Sequence, residues 1–128
     1  MIYLSIGSNL GDRLKFLQLA VGLISYRISK VTNVSRIYET PAMGFKGDPF
    51  YNICVEINTD LQPKSLLQKI LDIEKYLGRV RSPDRKLKSR EIDIDIVYYK
   101  NLIIKDKELH IPHENMHERN FVLYPLLE

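Results

Sequence analysis

The run Arg90-Glu91-Ile92-Asp93-Ile94-Asp95-Ile96-Val97 restricts the fold more than any other part of the chain. Strand side chains alternate faces with a period of two, so Ile92, Ile94 and Ile96 line one face. Asp93 and Asp95 then share the other. Aspartate is depleted in strands, and two carboxylates on one face repel unless positive charge lies between them. The pattern therefore demands a sheet with one buried face and one face that meets either solvent or a cation. A solvated acidic face is the simpler alternative. A hard divalent ion with oxygen ligands, Mg²⁺ above all, is the sharper one.

The rest of the chain favours the cation. Arg79, Arg81, Arg85, Lys86, Lys88 and Arg90 precede the strand and are opposed only by Asp84. Guanidinium groups present planar forks of donors that match phosphate oxygens, and a transferring phosphoryl group needs both metal and guanidinium around its charge. Taken alone, such a run reads as a solvated loop or an RNA-binding patch. Beside an aspartate pair it reads as a polyphosphate site. The net charge of +3 over 128 residues suits a local anionic ligand better than a general nucleic-acid surface.

Composition excludes several classes. Cys54 is the single cysteine, so no disulfide forms within the chain, and its place in an apolar run suggests buried filler rather than a nucleophile. No apolar stretch nears the roughly 18 residues that span a bilayer. Met1 leads straight into a strand-like run without a basic leader, so no signal peptide is expected. A cytoplasmic monomer, one domain over residues 1–128, without membrane or nucleic-acid partners, is the expectation.

Along the chain, Ile2, Leu4 and Ile6 alternate with Tyr3, Ser5 and Gly7 to make a first strand. Asn9 or Asp12 caps a helix whose apolar positions are Leu14, Leu17, Val21 and Ile24. A poorly alternating strand is expected over 34–38, and a Pro- and Gly-rich loop over 40–49. Residues 52–58 alternate again, with Ile53, Val55 and Ile57 inward and Asn52, Cys54 and Glu56 outward. Pro63 opens a second helix with a stripe of Leu66, Ile70, Ile73 and Leu77, and Gly78 stops it. After the aspartate strand, short strands are expected over 102–104 and 109–111, followed by a Pro112-initiated turn segment ending in 121–127. The order strand, helix, strand, strand, helix, strand is that of an α+β, ferredoxin-like βαββαβ antiparallel sheet with an added C-terminal hairpin. Both helices cover one face. Ser5, Asn52, Asp93 and Asp95 look out from the other.

Five segments, in order, resemble the 6-hydroxymethyl-7,8-dihydropterin pyrophosphokinase family of folate biosynthesis. They are Ile6-Gly7-Ser8-Asn9-Leu10, Tyr38-Glu39-Thr40-Pro41, Gly78-Arg79-Val80-Arg81, the aspartate strand itself, and Ile111-Pro112-His113 followed by Arg119 and Phe121. The resemblance implies transfer of the β,γ-diphosphate of ATP to the pterin hydroxymethyl group, with AMP released. It implies two Mg²⁺ ions on Asp93 and Asp95, with ATP as co-substrate. By the same likeness Arg79, Arg81 and Arg90 neutralise the phosphates and act in catalysis. Glu74, Ile96, Leu109, His113 and Arg119 complete the ATP side, and Gly7, Thr40, Pro41, Met43, Phe50, Asn52 and Phe121 the pterin pocket.

Two features depart from that family. Where relatives carry an aromatic and a Gly-Pro or Ala-Pro pair before the arginine, this chain has Lys86-Leu87-Lys88-Ser89. Relatives also usually continue beyond the segment matched by Pro125 to Glu128. A two-metal nucleotidyltransferase or cyclase on a ferredoxin-like palm is the alternative enzyme, releasing diphosphate and needing no pterin pocket. An RNA-binding module would want aromatics on its central strands, where this chain has Asn52, Cys54, Asp93 and Asp95.

Overall fold

Alternating aliphatics place β1 (Ile2–Ser8) at the centre of an antiparallel sheet, with Ile2, Leu4 and Ile6 fully buried beneath the helices. The computed structural model describes residues 1–41, 47–78, 92–100, 102–105 and 109–111. The remaining described elements are α1 (Arg13–Arg27), β2 (Val31–Val34), β3 (Tyr38–Thr40), β4 (Phe50–Ile57), α2 (Pro63–Tyr76), β5 (Asp93–Tyr99), β6 (Ile104–Lys105) and β7 (His110–Ile111). The sheet order is β2-β4-β1-β5, with β3 also paired to β4. Each helix thus connects two strands that leave a slot between them, and the slot is filled by a third. This is the split βαβ arrangement of a ferredoxin-like α+β fold.

Both helices pack on the face that carries the aliphatics. α1 lies against β1 and β4, α2 against β5, and the two helices touch each other. Asp12 caps α1 through its side chain, which accepts from the Lys15 amide at 3.1 Å. Leu17, Ala20 and Ile24 form its buried stripe. Leu14, expected in that stripe, is 43% exposed because the stripe begins one turn later. α2 follows its pattern: Pro63 occupies the first turn, and Leu66, Ile70 and Ile73 are fully buried. Gly78 sits at φ +100°, the left-handed conformation that glycine adopts without a Cβ penalty, and its amide reaches back to the Lys75 carbonyl.

Three local expectations need correction. The second strand is two pieces, β2 and β3, both on the outer side of β4. Ser35 between them keeps contact with β4: its amide donates to the Cys54 carbonyl, and its Oγ accepts from the Cys54 amide, each at 2.9 Å. A side-chain oxygen replaces a main-chain carbonyl there, which accounts for the poor alternation. β4 begins at Phe50, two residues before the expected start, and Asn52 and Cys54 stand on the outward face as expected, where both are buried. The short strand expected over 102–104 is β6, Ile104–Lys105, and it pairs with β7 as the added hairpin; Leu102 and Ile103 precede it and are exposed.

The aspartate strand holds its alternation until Val97. The register against β1 then slips: Leu4 faces Ile96, but Tyr3 faces Tyr98. This bulge puts Val97 and Tyr99 on the buried side after Ile96, so three of four consecutive residues are core. α2 is tied to β5 at both of its ends. The Tyr99 hydroxyl donates to the Leu61 carbonyl just before the helix, and Glu74 in the last turn accepts from the Ile94 amide.

Candidate active site

Asp93 and Asp95 lie on the sheet face opposite the helices, both half-buried, two residues apart on β5. Strand geometry sets their Cα atoms about 7 Å apart. Across the sheet, Asp93 stands beside Gly7, Gly7 beside Asn52, and Asn52 beside Tyr38. The next row runs from Asp95 through Ser5 to Cys54. At ordinary strand spacing Asp93 and Asn52 are about 10 Å apart. One row therefore joins the carboxylates to the carboxamide.

Asn52 is a buried, oriented carboxamide. It is 2% exposed, and its Nδ2 donates to Thr40 Oγ1 at 2.7 Å and to the Tyr38 carbonyl at 3.3 Å. Those bonds orient Nδ2 toward β3. They leave Oδ1 over Gly7, where a Cβ would stand only 2.9 Å away. The same Cβ would lie 3.3 Å from the Phe50 ring. Gly7 thus leaves space that Asn52 and Phe50 share, and its lack of a side chain is a requirement of the site. Thr40 and Phe50 face each other across the β3–β4 ladder, both half-buried, and Pro41 beside them is exposed.

On the nucleotide side the structure divides the expected residues. Ile96 and Leu109 are core side chains, 4% and 6% exposed, with Ile96 on the helix side of the sheet and away from the aspartates. Their side chains are spent on packing. Glu74 is 2% exposed, and its Oε2 is engaged by the Ile94 amide at 2.8 Å. Met43, Arg79, Arg81, Arg90, His113, Arg119 and Phe121 lie outside the described residues. Among those described, no third metal-ligating side chain joins the aspartate pair.

Two side chains to which the sequence assigned no site role, Asn9 and Arg13, hold the β3–β4 end of the sheet. The Asn9 Nδ2 donates to the Asp48 carbonyl at 3.0 Å, and Arg13 Nη1 to the Pro49 carbonyl at 2.8 Å. Arg13 also meets Glu39 at 3.4 Å and lies over the Tyr51 ring, 3.9 Å from its centre. A signal for Arg13 was present: a cation at the first position of a helix opposes the helix dipole, so its partners must come from elsewhere in the fold.

Cys54 is free and buried, and its thiol is pushed up to about 12 by burial first and by the charge of Glu56 second. It is a packing residue. No helix among the described residues is long and apolar enough to cross a membrane.

The chain is similar to known proteins. The family model described as 7,8-dihydro-6-hydroxymethylpterin-pyrophosphokinase matches residues 3–128. A 2-amino-4-hydroxy-6-hydroxymethyldihydropteridine pyrophosphokinase of Aquifex aeolicus is 39% identical over 99% of the chain and 78% of its own length. Its namesake in Bacillus subtilis is 41% identical over 98% of the chain and 75% of its own. The folic acid synthesis protein fol1 of Pneumocystis carinii reaches 45% identity over 99% of the chain, which spans only 17% of that longer protein. A crystal structure of Plasmodium falciparum HPPK-DHPS shares the fold, with a TM-score of 0.73 at 18% identity over 98% of this chain and 40% of that one. With a family match running almost end to end and the aspartate strand in its expected place, the chain belongs to the 7,8-dihydro-6-hydroxymethylpterin-pyrophosphokinase family.

Proposed function

We propose that this chain, acting as a cytoplasmic monomer with one domain over 1–128, transfers the β,γ-diphosphate of ATP to 6-hydroxymethyl-7,8-dihydropterin, a step of folate biosynthesis. The observation that carries the reading is the row Asp93, Gly7, Asn52 on one sheet face, which sets a carboxylate pair about 10 Å from an oriented carboxamide. That span suits a heterocycle at one end and a phosphate chain at the other.

In the reaction the pterin hydroxymethyl oxygen attacks the β-phosphorus of ATP. The bond from that phosphorus to the α,β-bridging oxygen breaks, AMP departs with the bridging oxygen, and the alcohol proton is lost to solvent or a phosphate oxygen. Asn52 binds the ring edge, Thr40 orients Asn52, and Phe50 with Phe121 stacks on the ring; Pro41 and Met43 complete the pocket. Arg79, Arg81, Arg90, His113 and Arg119 neutralise phosphate charge. Two hard carboxylates on one face suit Mg²⁺, and Asp93 and Asp95 would hold the two ions. Bound there, the metal would offset phosphate charge and polarise the attacking hydroxyl. Orientation and charge stabilisation are then sufficient for a primary alcohol, without a strong side-chain base.

The test is incubation of the protein with ATP, Mg²⁺ and 6-hydroxymethyl-7,8-dihydropterin, followed by ion-exchange separation of the nucleotides. AMP formed only when the pterin is present is the expected result. ADP would instead mean single phosphoryl transfer, and free diphosphate a nucleotidyltransferase.

A further inference from the structure

We infer that Arg13 is a positioning residue for pterin recognition, acting from the helix side of the sheet on the two strand ends that carry Thr40 and Phe50. The inference rests on the diphosphotransfer reading above. Register supplies the first part of the argument. Thr40 pairs with Phe50 and Tyr38 with Asn52, so these four share the aspartate face. Glu39 pairs with Tyr51 between them and must face the other way; Tyr51 indeed packs against the helix-side core. Arg13, at the start of α1, meets that opposite face.

Its three contacts bracket the pterin corner. Nη1 bonds the Pro49 carbonyl at 2.8 Å, one residue before Phe50. The same nitrogen lies 3.4 Å from the Glu39 carboxylate, one residue before Thr40. The guanidinium plane rests on the Tyr51 ring, one residue before Asn52. Phe50, Thr40 and Asn52 are therefore each preceded in the chain by a residue that Arg13 holds. β3 is only three residues long and, among the described residues, pairs with β4 alone, so its own ladder restrains it weakly. A planar fork that can bond and stack at once couples β3 to β4 where a short ladder would let them shift. A lysine has one point charge and could replace the ion pair but not the stacked fork.

Recognition by a hydrogen-bonding edge is sensitive to small displacements, whereas the aspartates on β5 lie on the far side of β1 from this corner. The expected consequence is selective. In Arg13→Ala, KM for the pterin rises about tenfold while KM for ATP stays within about twofold. Arg13→Lys recovers less than half of the loss. Amide exchange, followed by NMR without substrate, quickens at Thr40 and Phe50 and is unchanged at Ile94 and Ile96. A merely structural role would lower thermal stability and move both KM values together. That outcome, or unaltered exchange at Thr40 and Phe50, would overturn the inference. Wild-type protein that releases no AMP in the presence of pterin would instead sink the parent reading, and the exchange experiment would still report whether Arg13 holds the corner.

Discussion

Glu74 Oε2 accepts a hydrogen bond from the Ile94 amide at 2.8 Å, with the glutamate 2% exposed. Ile94 lies between the two aspartates on β5, the edge strand of the sheet among the described residues, so α2 reaches the aspartate-bearing strand through its backbone. An edge strand has a row of amides without strand partners, and a carboxylate brought in from a helix satisfies one of them. The bond, with the Tyr99–Leu61 contact at the other end of the helix, sets where β5 stands. Replacing Glu74 by Gln retains an acceptor. Replacing it by Ala leaves the amide and a cavity, and should lower unfolding free energy by about 2 kcal/mol or more. Urea denaturation of the two variants checks this, with Glu74→Gln expected closer to wild type.

Asp95→Ala removes one of two carboxylates from a shared face. Folding should survive, because Asp95 is only half-buried and stands on the sheet face away from the helix-side core. AMP release should fall at least about a thousandfold, a barrier increase of about 4 kcal/mol. A variant with wild-type turnover would remove the metal assignment.

Gly7→Ala tests the close approach at the middle of the row. The added Cβ would stand 2.9 Å from Asn52 Oδ1, and Asn52 cannot yield freely while bonded to Thr40. Overpacking should cost about 1–3 kcal/mol of stability. The pterin KM should rise more than the ATP KM, which steady-state kinetics with each substrate varied in turn would show.

Cys54 supplies a pH dependence whose sign follows from burial. Its thiol is raised from 9.0 to about 12 in the folded chain. The unfolded chain therefore loses the thiol proton first as pH rises. The neutral-thiol contribution to stability is complete below the ordinary thiol value and declines as pH climbs from 9.0 toward about 12. The wild-type minus Cys54→Ala difference in unfolding free energy should be flat below that window and shrink within it. Thiol reagents near neutral pH should modify the native protein slowly.

Much of this protein was legible in its sequence because two periods carry the information. Alternation in 2–7, 52–58 and 92–96 located three strands and their inward faces, and the helical spacing of Leu66, Ile70 and Ile73 located α2, since a buried face must repeat with the geometry of its element. The aspartate pair stood out because strands disfavour that residue type, and the Asp12 cap because helix starts favour it. What the chain alone did not disclose depends on partners distant in sequence. β2 and β3 part at Ser35 because a side chain joins the ladder. Asn52 is buried because β3 supplies Thr40, 12 residues away, to satisfy its amide. Glu74 belongs to the ATP side by the family pattern, and only the packing of α2 brings its carboxylate to a backbone amide 20 residues on. Arg13 looks like a misplaced cation until the fold brings Pro49, Glu39 and Tyr51 around it. Periodicity is local and survives in the sequence; satisfaction of a buried polar group is a tertiary event, decided only when the strands close.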